Sequence, residues 1–156
     1  MSRELLLDAA ARAVRYLESL DARRVQPDAA GRAGMAAWDE RRPDGPADPH
    51  EVLRRLDDVG SPATMAMAGP RFFGFVIGGA LPVTVAANWL ATAWDQNTAF
   101  YHPTPATAEI ERVALRWLVD ILGLPADCEG AFVTGATVAN LTALAAARHQ
   151  VLERAG

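Results

Sequence analysis

The sequence predicts an α/β chain that is mostly helix. Over residues 130–151, GAFVTGATVANLTALAAARHQV, a brief apolar run at Ala131, Phe132 and Val133 reads as a buried strand. After Thr134 and Gly135 the spacing turns helical through Leu141, Leu144, Ala145, Arg148 and Leu152. Upstream, apolar residues recur every third or fourth position in four further stretches, each bounded by Gly, Pro or a capping residue. One strand handing over to a helix, preceded by amphipathic helices, is the pattern on which the expectation rests.

Taken in order, residues 4–20 carry Leu5, Leu6, Ala9, Ala13, Tyr16, Leu17 and Leu20 at helical intervals, with arginines and acids between them. Residues 23–49 are rich in Gly, Pro, Asp and Arg and read as irregular. Pro49 opens a helix over residues 50–59 with Val52, Leu53 and Leu56 on its buried side, and Gly60-Ser61-Pro62 is expected to stop it. From Gly69 the texture changes to GPRFFGFVIGGALP, whose dense glycines point to close backbone approach. Pro82 suits the first turn of a helix to about Asn97, with Val85, Trp89, Ala93 and Trp94 on one side. The loop 95–103, DQNTAFYHP, gathers polar and aromatic groups of the kind that carry binding residues or a packed surface tyrosine. Thr104 and Pro105 then form an N-cap and first helical residue, and Ile110, Val113, Ala114, Trp117, Leu118, Ile121 and Leu122 trace a core-facing stripe that Gly123 and Pro125 end. The change of texture sets an N-terminal helical and irregular segment, 1–68, apart from residues 69–156.

Composition removes several function classes. A formal net charge of −4 and a pI of 5.3 leave no basic face for nucleic acid or an anionic membrane. The N-terminal MSRELLLDAAARAV holds no uninterrupted apolar run of signal-peptide length, so the expected location is the cytoplasm. The low-charge stretch 72–94 is interrupted by glycine and proline and is expected to be a loop and core helix, not a membrane span. The single cysteine, Cys128, excludes an internal disulfide, and its neighbours Asp127 and Glu129 argue against a nucleophilic role. His50, His102 and His149 are scattered without metal-ligand spacing, so no metal site is expected. None of Ser2, Ser19 and Ser61 sits in the elbow of a serine hydrolase. Glu109, Glu111, Arg112 and Arg116 are best explained as a solvated helical face with intrahelical ion pairs. The 15 basic residues are all arginine, so a covalent bond from a lysine to any carbonyl cofactor is impossible in this chain.

Two features remain as candidate sites. At Gly135, Ala136 and Thr137 the first backbone N–H groups of a helix have no intrahelical partners, lie at its positive end, and are flanked by side chains small enough to admit a phosphate. The Thr137 hydroxyl adds a further donor. The alternative is an ordinary strand-to-helix turn capped by that threonine. The second feature is the aromatic turn at Phe100, Tyr101 and His102.

The ordered blocks GPRFFGFVIGGALP, the tryptophan-containing helix ending in DQNT, ERVALRWLVDILGLP and GAFVTGATVANLTALAAAR resemble the N-terminal part of the group II pyridoxal-5′-phosphate-dependent amino-acid decarboxylases. That is the family of glutamate and aromatic-amino-acid decarboxylases. The resemblance covers residues 69–156 well and the preceding residues loosely. It implies the large domain of the aminotransferase-like fold, fold type I, in a homodimeric carboxy-lyase acting on an amino acid. It implies pyridoxal 5′-phosphate as cofactor, with its phosphate on Gly135, Ala136 and Thr137. It also implies that Phe73 and Pro82 bound a stretch lining the substrate pocket, and that the loop carrying Tyr101 and His102 reaches toward the partner's pocket. Residues 76–80 and 99–102 depart from the best-known decarboxylases, which leaves the substrate open. The family's ring-stacking His, its Asp at the pyridinium nitrogen and its lysine fall later than Gly156, so the chain is expected to be a fragment, inactive alone, with no catalytic residue of its own. The alternatives are a helical interaction module and one half of a split enzyme awaiting a complementary C-terminal chain.

Overall fold

The computed structural model describes residues 2–98 and 100–156; Met1 lies outside the described residues, as does Ala99 of the loop 97–103. The elements are α1 (Arg3–Ser19), α2 (Ala29–Gly34), a 3-10 turn (Met35–Trp38), α3 (Pro49–Ala63), α4 (Pro82–Trp94), α5 (Pro105–Ile121) and α6 (Ala136–Ala155). The chain divides into two units, Met1–Ala86 and Ala87–Gly156, with the boundary inside α4.

In the first unit α3 packs against α1, α2 and the 3-10 turn. Ser2 starts α1 by accepting a hydrogen bond from the Leu5 amide at 3.2 Å. Of the expected stripe, Leu5, Ala9, Ala13, Tyr16, Leu17 and Leu20 are wholly or partly buried and Leu6 is exposed. Arg12 ties the two long helices. Its Nε lies 3.1 Å from Asp8 on α1, and its Nη1 lies 3.0 Å from Asp57 on α3. Two expectations for this region are corrected. Residues 23–49 are not irregular throughout, because the Asp28 carboxylate accepts from the Gly31 amide at 2.8 Å and nucleates α2. Nor does α3 stop at Gly60. It runs to Ala63 with Pro62 one residue before its end, so the proline removes a single late N–H and no further turn follows for it to disrupt, and the Ser61 carbonyl accepts from Thr64 and Arg23. Gly60 serves packing, since a Cβ there would stand 3.2 Å from the Trp38 ring. Val52 and Leu56 are exposed and line surface grooves, so only Leu53 of the expected trio is partly buried.

In the second unit Pro105 is the first residue of α5, and a Schellman ending closes it. Gly123 takes φ +65°, its N–H donates to the Asp120 carbonyl at 3.0 Å, and Leu124 N–H donates to Val119 at 3.0 Å. Thr104 precedes the helix but does not cap it; its hydroxyl donates backward to the Phe100 carbonyl at 2.8 Å. The helical half of the predicted strand–turn–helix is present as α6. The strand is not: residues 131–133 are extended backbone outside any ladder, and no strand occurs among the described residues. A strand exists only when a second one pairs its N–H and C=O groups, and no described segment offers that edge. The α/β expectation is therefore met by its helices alone. The core-facing stripe of α5 is likewise largely uncovered, with Ile110, Trp117, Leu118, Ile121 and Leu122 all exposed and Val113 and Ala114 partly buried. Every residue of α6 is exposed.

Candidate phosphate site at the start of the last helix

The mouth of α6 is open. Gly135 is the N-cap residue with extended backbone, φ 163° and ψ 175°, and no side chain caps the helix. The first backbone hydrogen bond of the helix runs from the Ala139 N–H to the Gly135 carbonyl at 3.0 Å. The N–H groups of Ala136, Thr137 and Val138 thus precede the intrahelical ladder, as helix geometry requires. A Cβ built on Gly135 meets nothing within 4 Å. Thr137 accordingly does not act as the cap of an ordinary turn. The sequence reading named Gly135, Ala136 and Thr137 but missed Val138, whose amide is the third unpaired donor. The signal for it was available, because a helix leaves its first four N–H groups without intrahelical acceptors.

The structure places the other expected site residues as follows. Phe73 is 92% exposed and lies in the segment between residue 72 and Pro82, the first residue of α4. Within that segment Phe75 and Val76 adopt φ +58° and +53°, a left-handed conformation uncommon for any residue but glycine and most unusual for the β-branched Val76. Tyr101 and His102 are adjacent and exposed on the turn before α5, where the Tyr101 carbonyl accepts from the Thr104 amide at 3.2 Å. The main apolar groove of the first unit, about 610 Å³, lies against Tyr16, Leu17, Trp38, Leu53 and Leu56, and neither Phe73 nor Pro82 lines it. Gly135, Ala136 and Thr137 are brought together by the helix start itself. On α5, Glu109 pairs with Arg112, and that hydrogen bond holds the Glu109 carboxyl below its ordinary range. This is the solvated ion pair expected of that face. Cys128 is exposed, and no cluster of three or more His, Cys, Asp or Glu that could hold a metal occurs among the described residues. Among the described residues no helix is long and apolar enough to cross a membrane.

An uncapped helix start following a short apolar run, on a chain with these ordered sequence blocks, belongs to a recognisable class. The chain is a member of the pyridoxal-dependent decarboxylase family, whose conserved domain matches residues 34–155. It is 34% identical over 113 residues to an aromatic-L-amino-acid decarboxylase of Bacillus atrophaeus, an alignment covering 72% of this chain and 24% of that relative. The matched region thus spans about a quarter of the relative's length. The cofactor of the family is pyridoxal 5′-phosphate. The residues present fit that group at its phosphate: unpaired amides, a positive helix end, and no side chain filling the approach to Gly135.

Proposed function

We propose that this chain supplies the phosphate-binding turn and part of the substrate pocket of a pyridoxal-phosphate-dependent amino-acid decarboxylase of fold type I, a homodimeric carboxy-lyase. The observation that carries the reading is the uncapped start of α6 on a member of this family. The amides of Ala136, Thr137 and Val138 hold the phosphate dianion, the Thr137 hydroxyl donates a further hydrogen bond, and Gly135 leaves room for the oxygens. When bound, the cofactor supplies an electron-accepting ring that takes up the electron pair left as carbon dioxide departs from an amino acid. Phe73 and Pro82 contribute apolar surface to the substrate pocket, and Tyr101 and His102 contribute an aromatic face and a group that can hold or pass a proton. With no lysine in its sequence, this chain binds the cofactor non-covalently and does not complete the reaction by itself.

Binding of pyridoxal 5′-phosphate, compared with pyridoxal and with inorganic phosphate by calorimetry, tests the assignment. Binding that needs the phosphate and weakens about tenfold in Ala136→Pro is the expected result, because proline is tolerated at the first helical position while removing one charge-assisted donor. Equal affinity for pyridoxal, or no loss in Ala136→Pro, would remove the phosphate from this turn.

A second reading, a helical interaction module or one half of a split enzyme, draws on the uncovered apolar faces of α5 and α6. A second polypeptide bearing the lysine, co-purifying with this chain, distinguishes the split enzyme. A stable monomer indifferent to the cofactor distinguishes the module.

A further inference from the structure

The buried apolar residues of the first unit, Leu20 and Ala66, lie where the end of α1 meets the root of the 72–81 segment. Three backbone features join them there. The Ala66 amide donates to the Val25 carbonyl at 2.9 Å, Gly69 donates to Ala66 at 3.1 Å, and Phe72 donates to Gly69 at 3.2 Å. A Cβ on Gly69 would stand 3.4 Å from the Leu20 carbonyl oxygen, so the two segments nearly touch. Across this contact the Arg71 guanidinium donates through Nη2 to the Asp21 carbonyl at 3.0 Å and to the Arg23 carbonyl. Arg23 in turn donates to the Ser61 carbonyl at the end of α3 and lies over the Tyr16 ring at 4.7 Å. Beyond Phe72 the Phe75 ring lies 6.3 Å from that of Phe72, while Phe73, Phe75, Val76 and Leu81 are all strongly exposed.

We propose that Arg71 is a positioning residue: through the Asp21 and Arg23 carbonyls, and through Arg23 to α3, it fixes the root of the 72–81 segment on the helical layer and thereby sets where Phe73 stands. The assignment of Phe73 to substrate rests on the functional reading above; the tie itself does not. Guanidinium suits this task because the two hydrogens of its Nη2 are held in one plane and aimed at two carbonyls at once, whereas the rotating ammonium of a lysine, on a flexible and shorter-reaching stem, is less well directed.

Amide hydrogen exchange on the full chain tests the tie in the absence of any ligand. In Arg71→Ala the amides of Gly69 and Phe72 are expected to exchange about fivefold faster, the loss of a modest charged hydrogen-bond pair, with α3 amides unchanged. Chymotryptic cleavage after Phe72, Phe73 and Phe75 should accelerate in step. Arg71→Lys should recover part of the protection, since one carbonyl remains within reach. Unchanged exchange in Arg71→Ala, equal acceleration in α3, or no recovery in Arg71→Lys would each overturn the proposal. The pocket reading fails on a separate measurement: unchanged amino-acid binding in Phe73→Ala removes the substrate role and leaves the exchange result standing.

Discussion

Gly31 shows how a single side-chain atom decides a packing contact. It is buried in α2, and a Cβ there would stand 2.5 Å from the Pro62 carbonyl oxygen of α3, a backbone atom that cannot swing away. Gly31→Ala is therefore expected to destabilise the first unit by about 2 kcal/mol, as overpacking does, measurable as a lower urea midpoint. Glu40 acts through charge. Its hydrogen bond to Arg55 holds its carboxyl below the ordinary glutamate range, against the opposing effect of desolvation. A folded value below the unfolded one means that the pair's contribution is present above the unfolded value and is lost as pH falls through the folded value. The first unit should lose stability on the acid side of the glutamate range, and Glu40→Gln should flatten part of that dependence. Glu51, held low by Arg54, accounts for acid sensitivity that remains. At the phosphate turn the residue types were legible because backbone amides need only small neighbours and a helix start. Arg71 was not, because nothing in GPRFF marks which carbonyls its guanidinium will find fifty residues earlier.

At the scale of elements, termini were the readable part. Pro105 and Gly123 were legible because each acts locally, through backbone angles within a few residues, whereas Thr104, expected as a cap, is not one. Ser2, Asp28 and Asp48 cap as locally, though they were not singled out from the sequence. Asp28 was overlooked because the surrounding glycines and prolines suggested a loop. Gly123 offers a clean test. A Cβ there meets nothing within 4 Å, so Gly123→Ala adds only left-handed backbone strain, about 1 kcal/mol, to be read from thermal melting of the second unit. What end signals do not supply is a partner for the middle of an element. The apolar run 131–133 carries strand character but no ladder, and α6 has helical spacing with no residue buried. With 20 alanine-rich residues α6 is long enough for helix propensity to contribute to its stability while its apolar side stays uncovered.

For the molecule as a whole, accessible surface measures how much is left uncovered. The chain exposes 12832 Å², whereas two separate compact units of these sizes would expose about 9,000 Å². Large apolar side chains contribute to the difference, with Trp117, Ile121, Leu141, Leu144 and Val151 each more than 60% exposed. Surfaces of that kind associate. Sedimentation is expected to show concentration-dependent self-association of the isolated chain, and the double substitution Leu141→Glu with Leu144→Glu should shift it toward monomer while circular dichroism shows helix retained. A monomer at all concentrations before substitution would contradict this.

The sequence by itself determined the periodicity of five helices where it is strong, the prolines that open α3, α4 and α5, the glycine that ends α5, the absence of lysine and the small-residue turn, because each depends on neighbours in the chain. Tertiary structure alone decided that Pro62 stays within α3, that residues 131–133 form no strand, and that Arg71 reaches back to the end of α1. Those outcomes depend on which distant backbone groups come within hydrogen-bonding reach, and that is set by packing and not by local spacing.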